Sequence, residues 1–172
     1  SPLSRLHRLA VLLASLVGTV ACDQGSKQWA MTHQRGTPDV SYLGGFFRVT
    51  YAENPGAFLG LGGALPENVR TILWTVGVGI LLLGMTGWLL WTERMPAGVV
   101  LGVSLLVAGG AGNLWDRVER GRVVDFMVMG VGPLRTGVFN VADVAIMAGA
   151  AVVAWRTRRS PEAPLPPGPP AG

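Results

Sequence analysis

Charge is scarce in this 172-residue sequence: Asp, Glu, Lys and Arg together make up 14% of it, against about 25% in an average soluble domain. Cysteine is almost missing. Cys22 stands alone, which excludes a disulfide framework. The two histidines, His7 and His33, leave too few ligands for a Cys/His zinc site. Basic residues outnumber acidic ones by 14 to 10, but they are scattered rather than striped along one face, so nucleic acid is not the expected partner. What the chain has in quantity is apolar surface, 49% of residues, and 25 glycines. That much apolar material excludes disorder over the whole length. Two classes remain, a small membrane protein and a soluble domain with an unusually apolar core.

Run length separates them. Residues 71–91 hold 21 positions without a charge, enough for a helix of roughly 31 Å, close to the hydrocarbon thickness of a bilayer. This run shows no polar face at the helical period, as a soluble core helix would. Residues 96–115 are also free of charge, and residues 137–155 are interrupted only by Asp143. The first run, 9–22, extends to Met31 only across Asp23 and Lys27. The expectation is a mainly α membrane protein with four transmembrane helices, at about 8–31, 70–91, 96–116 and 137–156. These form one integral-membrane domain over residues 1–159. Arg5, Arg8, Arg94, Arg156, Arg158 and Arg159 lie densely at one end of the four spans, which places both termini in the cytoplasm. The tail 160–172 holds six of the twelve prolines and is expected to be disordered, extended and solvated. The loop 34–68 is too long for a simple turn. Its segment FFRVTY (46–51) followed by Pro55-Gly56 reads as a short strand pair or sheet-like flap.

The N-terminus admits a second reading, a lipoprotein signal ending at Cys22. Thr19 is a poor residue three places before such a cysteine, and three further spans follow, so a plain first helix with a buried free cysteine is preferred.

Polar residues concentrate at the outer ends of the spans. Asp143 lies inside the fourth apolar run, where an ionisable residue is costly and marks a functional candidate. Asn140 precedes it by three residues, on the same helix face. The pattern Asn-x-x-Asp recurs at Asn113 and Asp116, followed by Arg117. Asp125 is flanked by apolar residues in VVDF (123–126), and Asp23 and Lys27 stand at i, i+4 spacing on helix 1. A Ser26/Lys27 nucleophile pair is disfavoured because adjacent helical residues point about 100° apart. Two close carboxylates fit better: they share a proton, so that one activates a water while the other donates to a carbonyl oxygen. On spacing alone, a structural reading stands level with this one. In it Asp116–Arg117 and Asp23–Lys27 are ion pairs, and Asp143 is a helix–helix hydrogen-bond partner.

The blocks DQGSK (23–27), NPGAF (54–58), GGAGNLWDR (109–117), VVDF (123–126) and FNVADVAI (139–146) resemble lipoprotein signal peptidase, also called signal peptidase II, in the family's order and over about residues 8–156. The resemblance implies a bacterial inner-membrane aspartic protease. It implies four helices, a small periplasmic sheet and a short periplasmic helix. It implies removal of the signal peptide from diacylglyceryl-modified prolipoproteins, just before the lipidated cysteine, at the periplasmic face. The family's catalytic aspartates fall on Asp125 and Asp143. Asn113, Asp116, Arg117 and Asn140 match supporting positions, Asp23 and Lys27 the helix 1 block, and Asn54 and Gly56 the flap block. The flap departs from the family's N-x-G-A-A-F pattern, because Phe58 comes one place early. The expected partners are lipid-modified prolipoproteins and membrane lipid, the expected state is a monomer, and no metal or organic cofactor is needed. Gly109, Gly110 and Gly112 are expected to let helix 3 pack closely on its neighbours.

Two other classes compete. An ion- or proton-coupled transporter would use Asp143 as an intramembrane relay, but four short spans without repeated, broken halves argue against it. A non-enzymatic assembly factor would use the polar residues only for packing.

Overall fold

The computed structural model describes residues 3–56, 62 and 64–158. The chain runs through α1 (Arg5–His33), β1 (Val40–Tyr42), β2 (Phe47–Asn54), α2 (Glu67–Trp91), α3 (Ala97–Arg120), β3 (Val123–Val131), β4 (Leu134–Arg135) and α4 (Val141–Arg158). The Ser4 hydroxyl caps α1 by accepting the His7 N–H, and Pro96 opens α3, where its missing donor costs nothing. Gly121, at φ 71°, ends α3 in the left-handed conformation that glycine adopts without strain. The first turns of α2 widen into a π-helical stretch, Thr71–Gly77.

Three helices, α1, α2 and α3, are long and apolar enough to cross a bilayer. Only 6% of the apolar window of α2 is buried inside the protein, so its hydrophobic sides have no protein to cover them. Together with their lengths, this makes the chain a membrane protein. The fourth long helix has 18 residues and carries Asp143, Arg156 and Arg158.

The helix boundaries differ from expectation in one informative place. α4 starts at Val141 rather than 137, because the residues before it are extended. The Phe139 N–H donates to the Met127 carbonyl at 2.9 Å, and the Met127 N–H returns the bond at 2.9 Å. Helix 3 continues past the expected end at 116 to Arg120. Cys22 is exposed rather than buried. The tail 160–172 and the flap residues 57–61 lie outside the described residues.

The four strands form one antiparallel sheet in the order β1-β2-β3-β4. β2 is the expected flap strand. β3 was not anticipated, since VVDF reads in the sequence only as an acid between apolar residues. A register shift between Val49 and Ala52 sets Asp125 opposite Ala52. The sheet sits on the C-terminal end of α1 through Ala30, Val49 and Phe126. A second apolar cluster, with Leu12, Leu89, Val100, Val103 and Val107, joins α1, α2 and α3 near the other end.

Glycine allows the closest helix contacts. A Cβ on Gly109 would strike the Ala142 carbonyl and Ile146, one on Gly110 would strike Leu82, and one on Gly112 would come 2.7 Å from Asp23. The expected close packing of α3 is therefore present, and Gly102 and Gly149 add a facing pair across α3 and α4. A Gly109→Ala variant should lose about 1–3 kcal/mol from this overpacking. A Gly84→Ala variant, with nothing within 4 Å of the new methyl, should keep the wild-type Tm in detergent-micelle thermal unfolding.

Candidate active site

The site is built around a lysine that has no exposed surface. Lys27 is 0% exposed, as are Asp23 and Asp116. Its ammonium has three protons, and each has its own acceptor: Asp23 Oδ2 at 2.8 Å, Asp116 Oδ2 at 2.9 Å and Asn113 Oδ1 at 3.0 Å. An ammonium taken from water is tolerated only when it is satisfied in this way.

Each acceptor then organises a different element. Asp23 Oδ1 accepts the Ala142 N–H at 2.9 Å, which satisfies a free donor in the first turn of α4. Asp116 Oδ2 accepts the Val124 N–H at 3.1 Å and so holds the residue just before Asp125. Its Oδ1 takes Arg120 at 2.9 Å and the Gln24 amide at 3.0 Å. Asn113 spends its Nδ2 on Asp143 Oδ1 at 2.9 Å.

Asn140 and Asp143 cap α4 reciprocally. Asn140 Oδ1 accepts the Asp143 N–H at 2.9 Å, and Asp143 Oδ2 accepts the Asn140 N–H at 3.2 Å. This is the capping box that an Asn-x-x-acid spacing permits. The remaining amide group of Asn140 reaches Asp125 Oδ1 at 2.6 Å. One residue therefore holds both carboxylates, Asp125 by its side chain and Asp143 by its backbone N–H. The second oxygen of Asp125 accepts Asn54 Nδ2 at 3.2 Å from the end of β2.

Both acids are withdrawn from solvent: Asp125 is 4% and Asp143 8% exposed. Burial, followed by the negative charge of Asp143, pushes the Asp125 carboxyl up to about 6, while Asn54, Asn140 and Lys27 pull the other way. Such an arrangement suits a pair that shares one proton near neutral pH.

Of the residues singled out in the sequence, Asp23, Lys27, Asn54, Asn113, Asp116, Asp125, Asn140 and Asp143 form one connected network. Gly56 and Arg117 adjoin it: Arg117 donates to the Gly56 carbonyl at 2.8 Å and to the Asn113 carbonyl at 3.1 Å. The reading of Asp116–Arg117 as an ion pair is corrected, since Asp116 pairs with Lys27 and Arg120 instead. Adjacent residues on a helix diverge, whereas Arg120 stands one turn on. The Ser26 hydroxyl donates to the Asp23 carbonyl at 2.9 Å. Gln24 and Arg120 were missed. The i, i+4 spacing from Asp116 to Arg120 was the available signal for the second. Glu53, also unanticipated, accepts Tyr51 and pairs with Arg122 and Arg35, tying β2 to the ends of α1 and α3. Among the described residues no cluster of His, Cys, Asp and Glu is arranged to hold a metal.

The family described as signal peptidase (SPase) II matches residues 15–159. The lipoprotein signal peptidase of Moorella thermoacetica is 36% identical over 147 residues, covering 85% of this chain and 90% of that protein. The one from Yersinia enterocolitica is 36% identical over 149 residues, covering 87% and 86%. A bacterial membrane enzyme solved by the in meso method at 1.9 Å superposes with a TM-score of 0.77 at 23% identity, over 88% of this chain and 95% of that one, and so shares the fold.

The raised Asp125 carboxyl makes a stability prediction. A folded-state value of about 6 against an ordinary 3.8 means that the folded protein binds more protons than the unfolded chain between these limits. This carboxyl's contribution to stability therefore declines as pH rises through that window. Asp125→Asn, which stays neutral, should gain about 1–3 kcal/mol relative to wild type on going from about pH 4 to about pH 7. Paired unfolding curves at the two pH values check this; a constant difference contradicts it.

Proposed function

This chain belongs to the signal peptidase II family, and from that premise we propose that it is an aspartic endopeptidase acting on diacylglyceryl-modified prolipoproteins. It removes their signal peptides by cutting before the lipidated cysteine. Asp125 and Asp143 are its catalytic pair. The observation that carries the reading is Asn140, one residue that holds two buried carboxylates of different elements, Asp125 through its side-chain amide and Asp143 through its backbone N–H.

The reaction follows from the pair's chemistry. With one carboxyl protonated and one ionised, the ionised group takes a proton from a water, which attacks the scissile carbonyl carbon. The protonated group donates to the carbonyl oxygen as the tetrahedral intermediate forms. Collapse of the intermediate returns a hydroxyl proton to the second acid and expels the cysteine amine, which takes up the proton held by the first. Asn113 and Asn54 hold the outer oxygens of the two acids, so neither rotates away from the water. The substrate's acyl chains stay among the apolar helix sides.

In this reading α4 is a fourth span, residues 1–159 are one membrane domain, and the chain works as a monomer in the bacterial inner membrane. Both termini are cytoplasmic, with the sheet and the acids at the periplasmic face. The dense arginines at the opposite end support that orientation: Arg5 lies over the Trp91 ring, and Arg8 donates to the Leu90 carbonyl. The transporter reading finds no support, since the family and the relatives are peptidases.

Asp125→Asn and Asp143→Asn should each fold, bind a lipidated precursor and cut it about 10²–10⁴-fold more slowly or worse. Single-turnover cleavage of a synthetic diacylglyceryl precursor in micelles measures this. Near wild-type cutting by either variant would remove that residue from the pair.

A further inference from the structure

Asp125 depends on a short piece of β-ladder. A register shift between Val49 and Ala52 divides β2, and past it three pairs join β2 to β3: Ala52 with Asp125, Glu53 with Val124 and Asn54 with Val123. Successive side chains of a strand point to opposite faces. Asn54 and Ala52 therefore share one face with Asp125 and Val123, while Glu53 and Val124 take the other. Asn54 and Asp125 are diagonal neighbours across the pair of strands, and the Asn54 amide donates to Asp125 Oδ2 at 3.2 Å. The side-chain oxygen of Asn54 accepts the Gly56 N–H at 3.0 Å, which turns its amide nitrogen toward the acid.

A ladder this short, at the end of a strand, opens readily unless something else closes it. The next residue, Pro55, has no N–H with which to extend it.

Glu53 supplies the closure from the other face. Its Oε1 accepts the Tyr51 hydroxyl at 2.9 Å and meets Arg35 Nη2 at 3.4 Å, and its Oε2 meets Arg122 Nη1 at 2.7 Å. Arg35 stands two residues past the end of α1 and also lies over the Tyr51 ring, 5.8 Å from its centroid. Arg122 immediately precedes β3. One carboxylate thus gathers the end of α1, the end of β2 and the start of β3. The Tyr51 hydrogen bond, together with Arg122 and Arg35, outweighs burial and holds this carboxyl below the usual carboxylate range, so the clasp is charged at neutral pH. A lone exposed ion pair contributes little, but three donors on one carboxylate form a network.

Given the proposed role of Asp125, we infer that Glu53 is a positioning residue for peptide cleavage: by clasping Arg35, Tyr51 and Arg122 on one face of the sheet, it holds the end of β2 so that Asn54, on the other face, keeps its amide on Asp125. The clasp acts on the chemistry by one route, the backbone that Glu53 and Asn54 share.

Steady-state cleavage of a synthetic diacylglyceryl precursor by the full chain in micelles tests this. Glu53→Ala should lower kcat about fivefold, with KM within about twofold of wild type. Made in an Asn54→Ala background, the same substitution should change kcat by less than about 1.5-fold, because the amide it positions is gone. Tyr51→Phe and Arg122→Gln each remove one arm and should cost about twofold in kcat, again only while Asn54 is present. These milder variants read the clasp even if Glu53→Ala fails to fold. Equal losses in both backgrounds overturn the inference, because they assign Glu53 to general stability or to a direct charge effect on the acids. An unchanged kcat in Glu53→Ala overturns it too. Failure of the underlying reading looks different: the wild type then leaves the precursor uncut, or Asp125→Asn cuts it as fast as the wild type.

Discussion

The three donors of the Lys27 ammonium are the constraint on which the rest of this structure depends. A cation with no exposed surface must be fully neutralised and hydrogen-bonded, or the fold that buries it is lost. Here that requirement draws Asp23 from α1 and Asp116 and Asn113 from α3 to within 3.0 Å of one nitrogen. The same acids also hold backbone donors at the starts of β3 and α4, Asp116 through the oxygen that meets Lys27 and Asp23 through its other oxygen. In this way one ion cluster sets the entry points of the two segments that carry Asp125 and Asp143, and it reaches Asp143 itself through the Asn113 amide.

The division of labour is chemically sensible. The acids around Lys27 have cations beside them and stay in the structural role. Asp125 and Asp143 lean on neutral amides, Asn54, Asn113 and Asn140, which orient a carboxylate without cancelling its charge. Burial and the neighbouring Asp143 push the Asp125 carboxyl up to about 6, within reach of proton exchange at neutral pH. Asp143 serves twice, since the oxygen that caps α4 belongs to the same group proposed for catalysis. A substitution there bears on helix start and chemistry together, which is why asparagine, able to retain a cap, is the informative replacement.

Much of this was legible in the sequence, and for physical reasons. Uncharged runs of about twenty residues announce spans because the bilayer has a fixed thickness. Asn-x-x-Asp in an apolar run announces two polar side chains on one face because residues three apart meet across a helix turn; that the pair caps α4 was not read. What could not be read was non-local. Nothing in VVDFMVMGV distinguishes a strand from a buried helical turn until β2 is present to pair with it. The choice of Lys27 and Arg120 over Arg117 as partners of Asp116 depends on which faces of α1 and α3 meet. The start of α4 at Val141 was missed because Phe139 is held extended by Met127, a residue twelve positions earlier.

The central claim is that Lys27 and its acceptors act as one unit. The most direct measurement is a double-mutant cycle on unfolding free energy in micelles, with Lys27→Met, Asp116→Asn and the double variant. Removing the lysine alone leaves buried Asp23 without a cation and Asp116 with Arg120 alone, and should cost about 3–5 kcal/mol. The double variant should be more stable than the sum of the two losses predicts, by at least about 1 kcal/mol. Losses that add to within about 0.5 kcal/mol, or a lysine variant as stable as wild type, would contradict the account.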